Sequence, residues 1–179
     1  MLPQASERLP GRVHVADAGA LALRDAAMDA LTYVWVLHHV AELRACLEEA
    51  WRVLRPGGRV LSISGLSLPV GDDMAPIFEA LSDTLRPGRR EQAMAVSSVG
   101  GDVGFELVHE GFATTAADVS PNGLAATMVE RLFSHLWDLS DEQWRTHVEP
   151  AIAELRALPD PDRPRRRVFH HALVVLVKR

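Results

Sequence analysis

The stretch that most constrains the fold runs from residue 30 to residue 64. Residues 30–36 read Ala-Leu-Thr-Tyr-Val-Trp-Val, a near-continuous apolar run rich in β formers. That is the pattern of a strand buried on both faces. From 40 to 54 the spacing turns helical. Leu43, Leu47, Trp51 and Leu54 share one face, with Glu42, Arg44, Glu48, Glu49 and Arg52 mostly opposite. Pro56-Gly57-Gly58 stops the helix, because proline cannot continue it and glycine takes a positive φ cheaply. Residues 59–64 form the next strand. Strand, helix and strand in close succession make a βαβ unit, whose strands are parallel. Such a unit commits the chain to an α/β sheet.

The flanks are read with less periodicity to lean on. Residues 12–16, Arg-Val-His-Val-Ala, predict a short strand ending at Asp17, and residues 19–28 a connection. Residues 73–85 predict a helix followed by a polar loop, 102–110 a short helix closed by Gly111, and 112–119 a strand. Pro121-Asn122-Gly123 predicts a turn. Two helical stretches follow, 124–139 and 141–158. Ser140 with Gln143 three residues on forms a capping-box signature for the second, and Pro150 predicts a kink inside it. Residues 167–177 predict the last strand.

Composition narrows the function classes. A chain of 179 residues suits one domain, and its 47% hydrophobic and 24% charged residues are ordinary for a globular protein. The net charge of -5 offers no basic field for nucleic acid. No apolar run reaches the length of a membrane span, and the polar N-terminus is no signal peptide. The single cysteine, Cys46, excludes an internal disulfide and a multi-cysteine metal site, so a cytoplasmic setting and no metal are expected. Gly100-Gly101-Asp102-Val103-Gly104 lacks the preceding strand that a phosphate-binding loop needs. Arg163, Arg165, Arg166 and Arg167 read as a solvated lead-in to the last strand. His170 and His171, adjacent in a strand, point to opposite faces and cannot readily chelate one metal.

The ordered set Asp17-Ala18, the 30–36 run, Leu37-His38-His39, and Leu54-Arg55-Pro56-Gly57-Gly58 resembles the class I S-adenosylmethionine-dependent methyltransferases of the type 11 kind. The order and spacing match together, which is more specific than any one motif. Even residues 1–11 look like the helix that leaves that family's second strand. The resemblance covers roughly residues 1–120 and the final strand. It implies a Rossmann-like α/β sheet with an antiparallel last strand, residues 121–165 being a helical, cap-like insertion before it. It also implies S-adenosylmethionine as cofactor and a small-molecule methyl acceptor.

Carried over by position, the Asp17 carboxylate accepts from the adenine amino group and the Ala18 N–H meets an adenine ring nitrogen. Asp17 otherwise reads as a turn-capping carboxylate. Val34 stands where the family often has a small polar residue, so it offers backbone contact alone. His39 is the candidate base for an acceptor proton. The pair equally fits a structural role, with His39 under the following helix and His38 lining the cofactor cleft. In the insertion, Met128, Leu132, Phe133, Leu136, Trp137, Trp144, Val148, Ile152 and Leu155 recur at helical spacing. They bury against one another, or they form a lid whose Trp137 and Trp144 line the acceptor site.

The resemblance also implies a first strand ending in an acidic residue and a Gly-x-Gly loop, then a second strand ending in a ribose-holding acid. Neither motif stands in these 179 residues. The expectation is a domain whose start lies upstream, or a truncated one. Loss of those contacts, near ~4 kcal/mol in all, would weaken cofactor binding about a thousandfold. Two alternatives stand beside the enzyme: a non-catalytic remnant or interaction module of the same fold, and a nucleotide-binding α/β domain of another kind. The antiparallel last strand disfavours the latter. An apolar strand at 30–36 without its outer neighbour is an aggregation-prone edge, unless residues 13–16 pair with it or a homodimer forms through the exposed sheet edge.

Overall fold

The computed structural model describes residues 2–70, 72–87 and 89–179, the side chains of 2, 65–70 and 89–94 aside. Met1, which the sequence places in the opening helix, lies outside the described residues. Helix α1 (Leu2–Arg8) leads into strand β1 (Met28–Val34), a 3-10 turn at Leu37–His39, and helix α2 (Leu43–Val53). Strand β2 (Leu54–Val70), helices α3 (Ala75–Leu85) and α4 (Arg89–Val103), and strand β3 (Glu106–Val119) follow. Then come α5 (Pro121–Val129), a 3-10 turn at Ser134–Leu136, α6 (Asp141–Gln143), a π turn at Trp144–Val148, α7 (Glu149–Ala157) and strand β4 (Arg165–Val177).

The four strands form one sheet in the order β1-β2-β4-β3. β1 and β2 are parallel, as the crossover through α2 requires. β4 runs antiparallel to both its neighbours, β2 and β3. The chain is therefore a mixed α/β sheet with an antiparallel last strand, as expected. One face carries the main core. Leu31 and Tyr33 of β1, Val60 of β2, and Val174 and Leu176 of β4 pack with Cys46, Leu47 and Ala50 of α2 and Val96 of α4. A second apolar cluster joins α3 to the elements between β3 and β4, through Met74, Ile77, Leu81, Leu124, Met128, Leu136, Val148, Ile152 and Leu155.

Several local expectations are corrected. Residues 12–16 form no strand; only an Asp17–Ala20 bridge appears there. Nothing pairs with the outer edge of β1, whose sole partner is β2 among the described strands. The 30–36 run is accordingly not buried on both faces. Tyr33 is buried, but Val34, Trp35 and Val36 are 49%, 54% and 41% exposed. Residues 102–110 are no helix: α4 ends at Val103 and β3 begins at Glu106. The glycines misled the reading, since Gly100 and Gly101 are helical. A Cβ at Gly100 would stand 2.5 Å from Leu176 Cδ1, so glycine there lets α4 lie directly on β4. Pro121-Asn122-Gly123 is the first turn of α5, capped by the Ser120 hydroxyl, which accepts from Gly123 N. The helix expected over 124–139 ends at Val129, leaving Leu132 and Trp137 exposed.

The capping box at Ser140 and Gln143 is present with both its hydrogen bonds. Pro150 breaks regularity without a sharp stop. The turn before it widens to π, so Glu149 N donates to Trp144 O and the missing proline N–H is absorbed.

Candidate active site

In a sheet of parallel strands, loops at the carboxyl ends form the ligand-binding edge. Here that edge is the C-terminal end of β1 and β2. Because β4 is antiparallel, its first residues lie at the same end, with Leu173 opposite Ile63. Val34, the last residue of β1, therefore stands level with Leu173, past the middle of β4, and β2 and the first half of β4 extend beyond it. Trp35 follows it with φ at +53°, the left-handed region that bulky side chains rarely adopt. Its N–H is held by Ile63 O at 2.8 Å, and its ring lies 5.6 Å from that of His171. Backbone strain of this kind persists where the surroundings over-determine it.

From Trp35 a string of ring contacts crosses this edge. His171 stacks on Phe169 at 6.3 Å and its Nε2 meets Thr115 Oγ1 at 2.9 Å. The Arg167 guanidinium lies 5.1 Å from the Phe169 ring and 6.0 Å from that of Phe78 on α3. Phe78 contacts Phe133 and His135, whose rings are stacked at 5.5 Å. Beside them Arg86 Nη2 approaches Ser134 Oγ at 3.4 Å, and its charge acts on His38 and His39. Those two rings, 4.0 Å apart, sit in the turn after Trp35. The string thus begins and ends at one segment, residues 35–39.

The electrostatics are those of a partly dry site. Burial, then His39 and Arg86, push His38 down to about 4, so its imidazole is neutral at pH 7. Its buried Nδ1 has no hydrogen-bond partner among the described residues. His39 is exposed, and its pKa is also lowered, chiefly by desolvation. Burial lowers His171 as well. Arg167 is buried and pairs with the equally buried Asp72, Nε to Oδ2 at 2.6 Å. This overturns the solvated reading for Arg167, while Arg163 and Arg166 are exposed as that reading has them. Arg165 too is paired, with Asp73 at 2.7 Å.

Asp17 and Ala18 lie in a loop at the side of α2. The Asp17 Oδ1 accepts from Gly19 N at 2.8 Å, the turn-capping role. The carboxylate is exposed and its second oxygen makes no bond among the described residues. Ala18 packs on the main core. The following connection is clamped to α2: Leu21 N donates to Glu49, and Arg52 bonds Asp25 and the Leu21 and Leu23 carbonyls. Cys46 on α2 packs with Tyr33 in the main core, and burial pushes the thiol and the phenol up. Trp137 is 55% exposed and donates its Nε1 to Arg131 O at 2.8 Å. Arg131 lies over the Trp144 ring at 4.3 Å. The structure brings Val34, His38 and His39 together, and joins Trp137 to Trp144 through Arg131. Among the described residues neither indole belongs to the string.

The string's own members, Trp35, Phe78, Phe133, His135, Arg167, Phe169 and His171, were not read as site residues. One signal was available. Arg167, Phe169 and His171 recur with period two and so share a strand face.

The comparisons agree with this geometry. Residues 1–62 match the family model described as a methyltransferase domain. The chain is 40% identical over 73 residues to the ubiquinone/menaquinone biosynthesis C-methyltransferase UbiE of Caulobacter vibrioides, covering 41% of this chain and 29% of that protein. It is 39% identical over 86 residues to the protein of that name from Methylobacterium nodulans, covering 47% and 34%. The chain thus spans about three-tenths of the length of these curated relatives. Among solved structures, a candidate methyltransferase from Bacillus halodurans superposes with a TM-score of 0.58 at 16% identity, over 99% of this chain and 78% of that one. A candidate type II methyltransferase from Anaeromyxobacter dehalogenans gives 0.55 at 19% identity, over 90% and 69%. The first third of the chain matches the methyltransferase-domain family model, and the whole has the Rossmann-like α/β fold of these solved structures.

Proposed function

We propose that the chain forms the adenine-side and acceptor-side walls of an S-adenosylmethionine-dependent methyltransferase acting on a small molecule. The observation that carries this is the placement of the matched residues 1–62. Val34 and His38-His39 lie at the carboxyl end of β1, the ligand edge of such a sheet, and Ala18, beside Asp17, packs on the core that holds Tyr33 of β1 and Leu37. The residues fit an adenine. Asp17 is exposed, and its carboxylate keeps an oxygen free to accept from an amino group. Bound there, the cofactor supplies an electrophilic methyl group. Asp17 and the Ala18 N–H hold and orient the base, Val34 walls it, and His38 lines the cleft. His38 is a weak base at a pKa near 4, so it serves better as a neutral acceptor than as a proton remover. His39, being exposed, is the better placed of the two to exchange a proton with solvent. The name of the curated relatives supports a carbon acceptor.

The test is titration with S-adenosylhomocysteine, followed by amide NMR shifts. Weak binding that shifts the residue 17–19 amides, and that Asp17→Ala weakens about tenfold or more while His39→Ala leaves it intact, is expected. Binding unchanged by Asp17→Ala would overturn the adenine role. Micromolar affinity would show that the ribose and methionine parts are also held.

A further inference from the structure

Arg163 and Arg166 are charges that the methyltransferase reading leaves without a role. They stand on the link from α7 to β4, which winds around the guanidinium of Arg165. Arg165 Nη1 donates to the carbonyls of Asp160 and Arg163, and its Nη2 to that of Pro159. The same guanidinium meets Asp73 at two points, Nε to Oδ1 at 2.7 Å and Nη2 to Oδ2 at 3.0 Å. Pro159 and Pro164 restrict the link further. Asp72, beside Asp73, is paired with the buried Arg167. Both aspartates that follow β2 are thus neutralised, by arginines two residues apart on β4.

Between this aspartate pair and the link lies an open cavity of about 570 Å³, a volume that suits a small organic molecule. Arg163 and Arg166 line it too. Both are exposed, and neither guanidinium has a hydrogen bond or ion pair among the described residues. Asp118 stands opposite Arg166 on β3 and makes no ion pair with it. Asp160 is the lining carboxylate without a cationic partner among the described residues. Two unpaired cations against one unpaired carboxylate leave the cavity one net positive charge, on a chain whose formal charge is -5. That local reversal of sign favours an anion. Geometry chooses among anions. A guanidinium presents parallel N–H donors that match carboxylate and phosphate oxygens. A monocarboxylate has one charge to share. A phosphate monoester carries close to two and has three acceptor oxygens, enough for two arginines. The cavity also has room for the organic group that the ester carries.

We propose that the cleft between Asp72-Asp73 and residues 159–166 binds a phosphate monoester, its phosphoryl group held by Arg163 and Arg166. This site goes beyond the methyltransferase reading and does not rest on it, and its test needs no cofactor. The chain is titrated with phenyl phosphate, benzoate and phenol, and binding is followed through the backbone amide NMR signals of the link. Phenyl phosphate should bind about tenfold tighter than benzoate, and benzoate tighter than phenol. Arg163→Gln and Arg166→Gln should each weaken phenyl phosphate about tenfold. Both side chains are exposed, so neither change removes packing. Asp160 has φ at +47°, a region that asparagine also tolerates. Asp160→Asn therefore keeps the turn while removing the repelling charge, and it should tighten phenyl phosphate severalfold. Equal binding of phenyl phosphate and benzoate overturns the proposal. So does an affinity that survives the combined Arg163→Gln and Arg166→Gln changes, or amide shifts scattered over the surface instead of confined to the link and residues 72–73.

Discussion

His38 shows how one side chain can couple the site to pH. Its imidazole is neutral in the folded chain down to about pH 4, chiefly through burial, whereas an unfolded histidine titrates near its ordinary value of 6.5. Between those values the unfolded state binds the extra proton, so stability rises with pH across that window and is lost as pH falls. The expected outcome is a melting temperature that drops from pH 6.5 to pH 4, with a shallower drop in His38→Asn. Parallel curves for the two proteins in that window would show that burial does not hold the ring neutral. Residue roles were unevenly legible in the sequence. Val34 falls at the end of β1 and His38 in the turn after it, where the linked motif set puts them in the fold. Arg167 could not be placed, because a run of arginines reads as solvated when the partner that buries it, Asp72, is 95 residues away in sequence.

At the scale of elements, periodic segments were readable and glycine-bearing ones were not. α2 and the parallel β1–β2 pair follow from apolar spacing and the Pro56-Gly57-Gly58 stop. α4 was missed because glycine lowers helix propensity, while the reason for Gly100 lies in β4, far along the chain. The two adjacent glycines should therefore respond oppositely to alanine. At Gly100 a methyl meets the fully buried Leu176, and overpacking of that kind costs about 1–3 kcal/mol. At Gly101 a Cβ meets nothing within 4 Å, so alanine should stabilise by roughly 0.5–1 kcal/mol through helix propensity alone. Denaturant midpoints of the two variants check this, and a Gly100→Ala variant as stable as the parent would mean α4 does not rest on Leu176. The clamp by Glu49 and Arg52 on residues 21–25 is a second element-level device. Arg52→Ala should speed amide exchange across residues 17–26 while α2 stays protected, because the contacts it loses all belong to the connection and to Glu49. Uniform loss of protection across the molecule would instead make Arg52 a residue of global stability.

For the whole molecule, the decisive feature is the outer edge of β1. Trp35 N donates to Ile63 O on β2. In a parallel strand, amides on one side belong to alternate residues, so those of Leu31 and Tyr33 face β2 and those of Thr32 and Val34 face outward. The outward set has no strand partner among the described residues, and Val34, Trp35 and Val36 beside it are exposed. A bare apolar edge is a template for another chain. A second copy offers the same edge, and an antiparallel, two-fold pairing of β1 with β1 would satisfy both sets at once. At low concentration, Leu31 and Tyr33 amides should exchange slowly and those of Thr32 and Val34 fast. Raising the concentration should slow the second pair and raise the sedimentation coefficient together. Val34→Lys, which sets like charges against each other across such a contact, should abolish both changes while leaving Leu31 and Tyr33 protected. Protection of Thr32 and Val34 that does not vary with concentration would place a partner for this edge within a single chain.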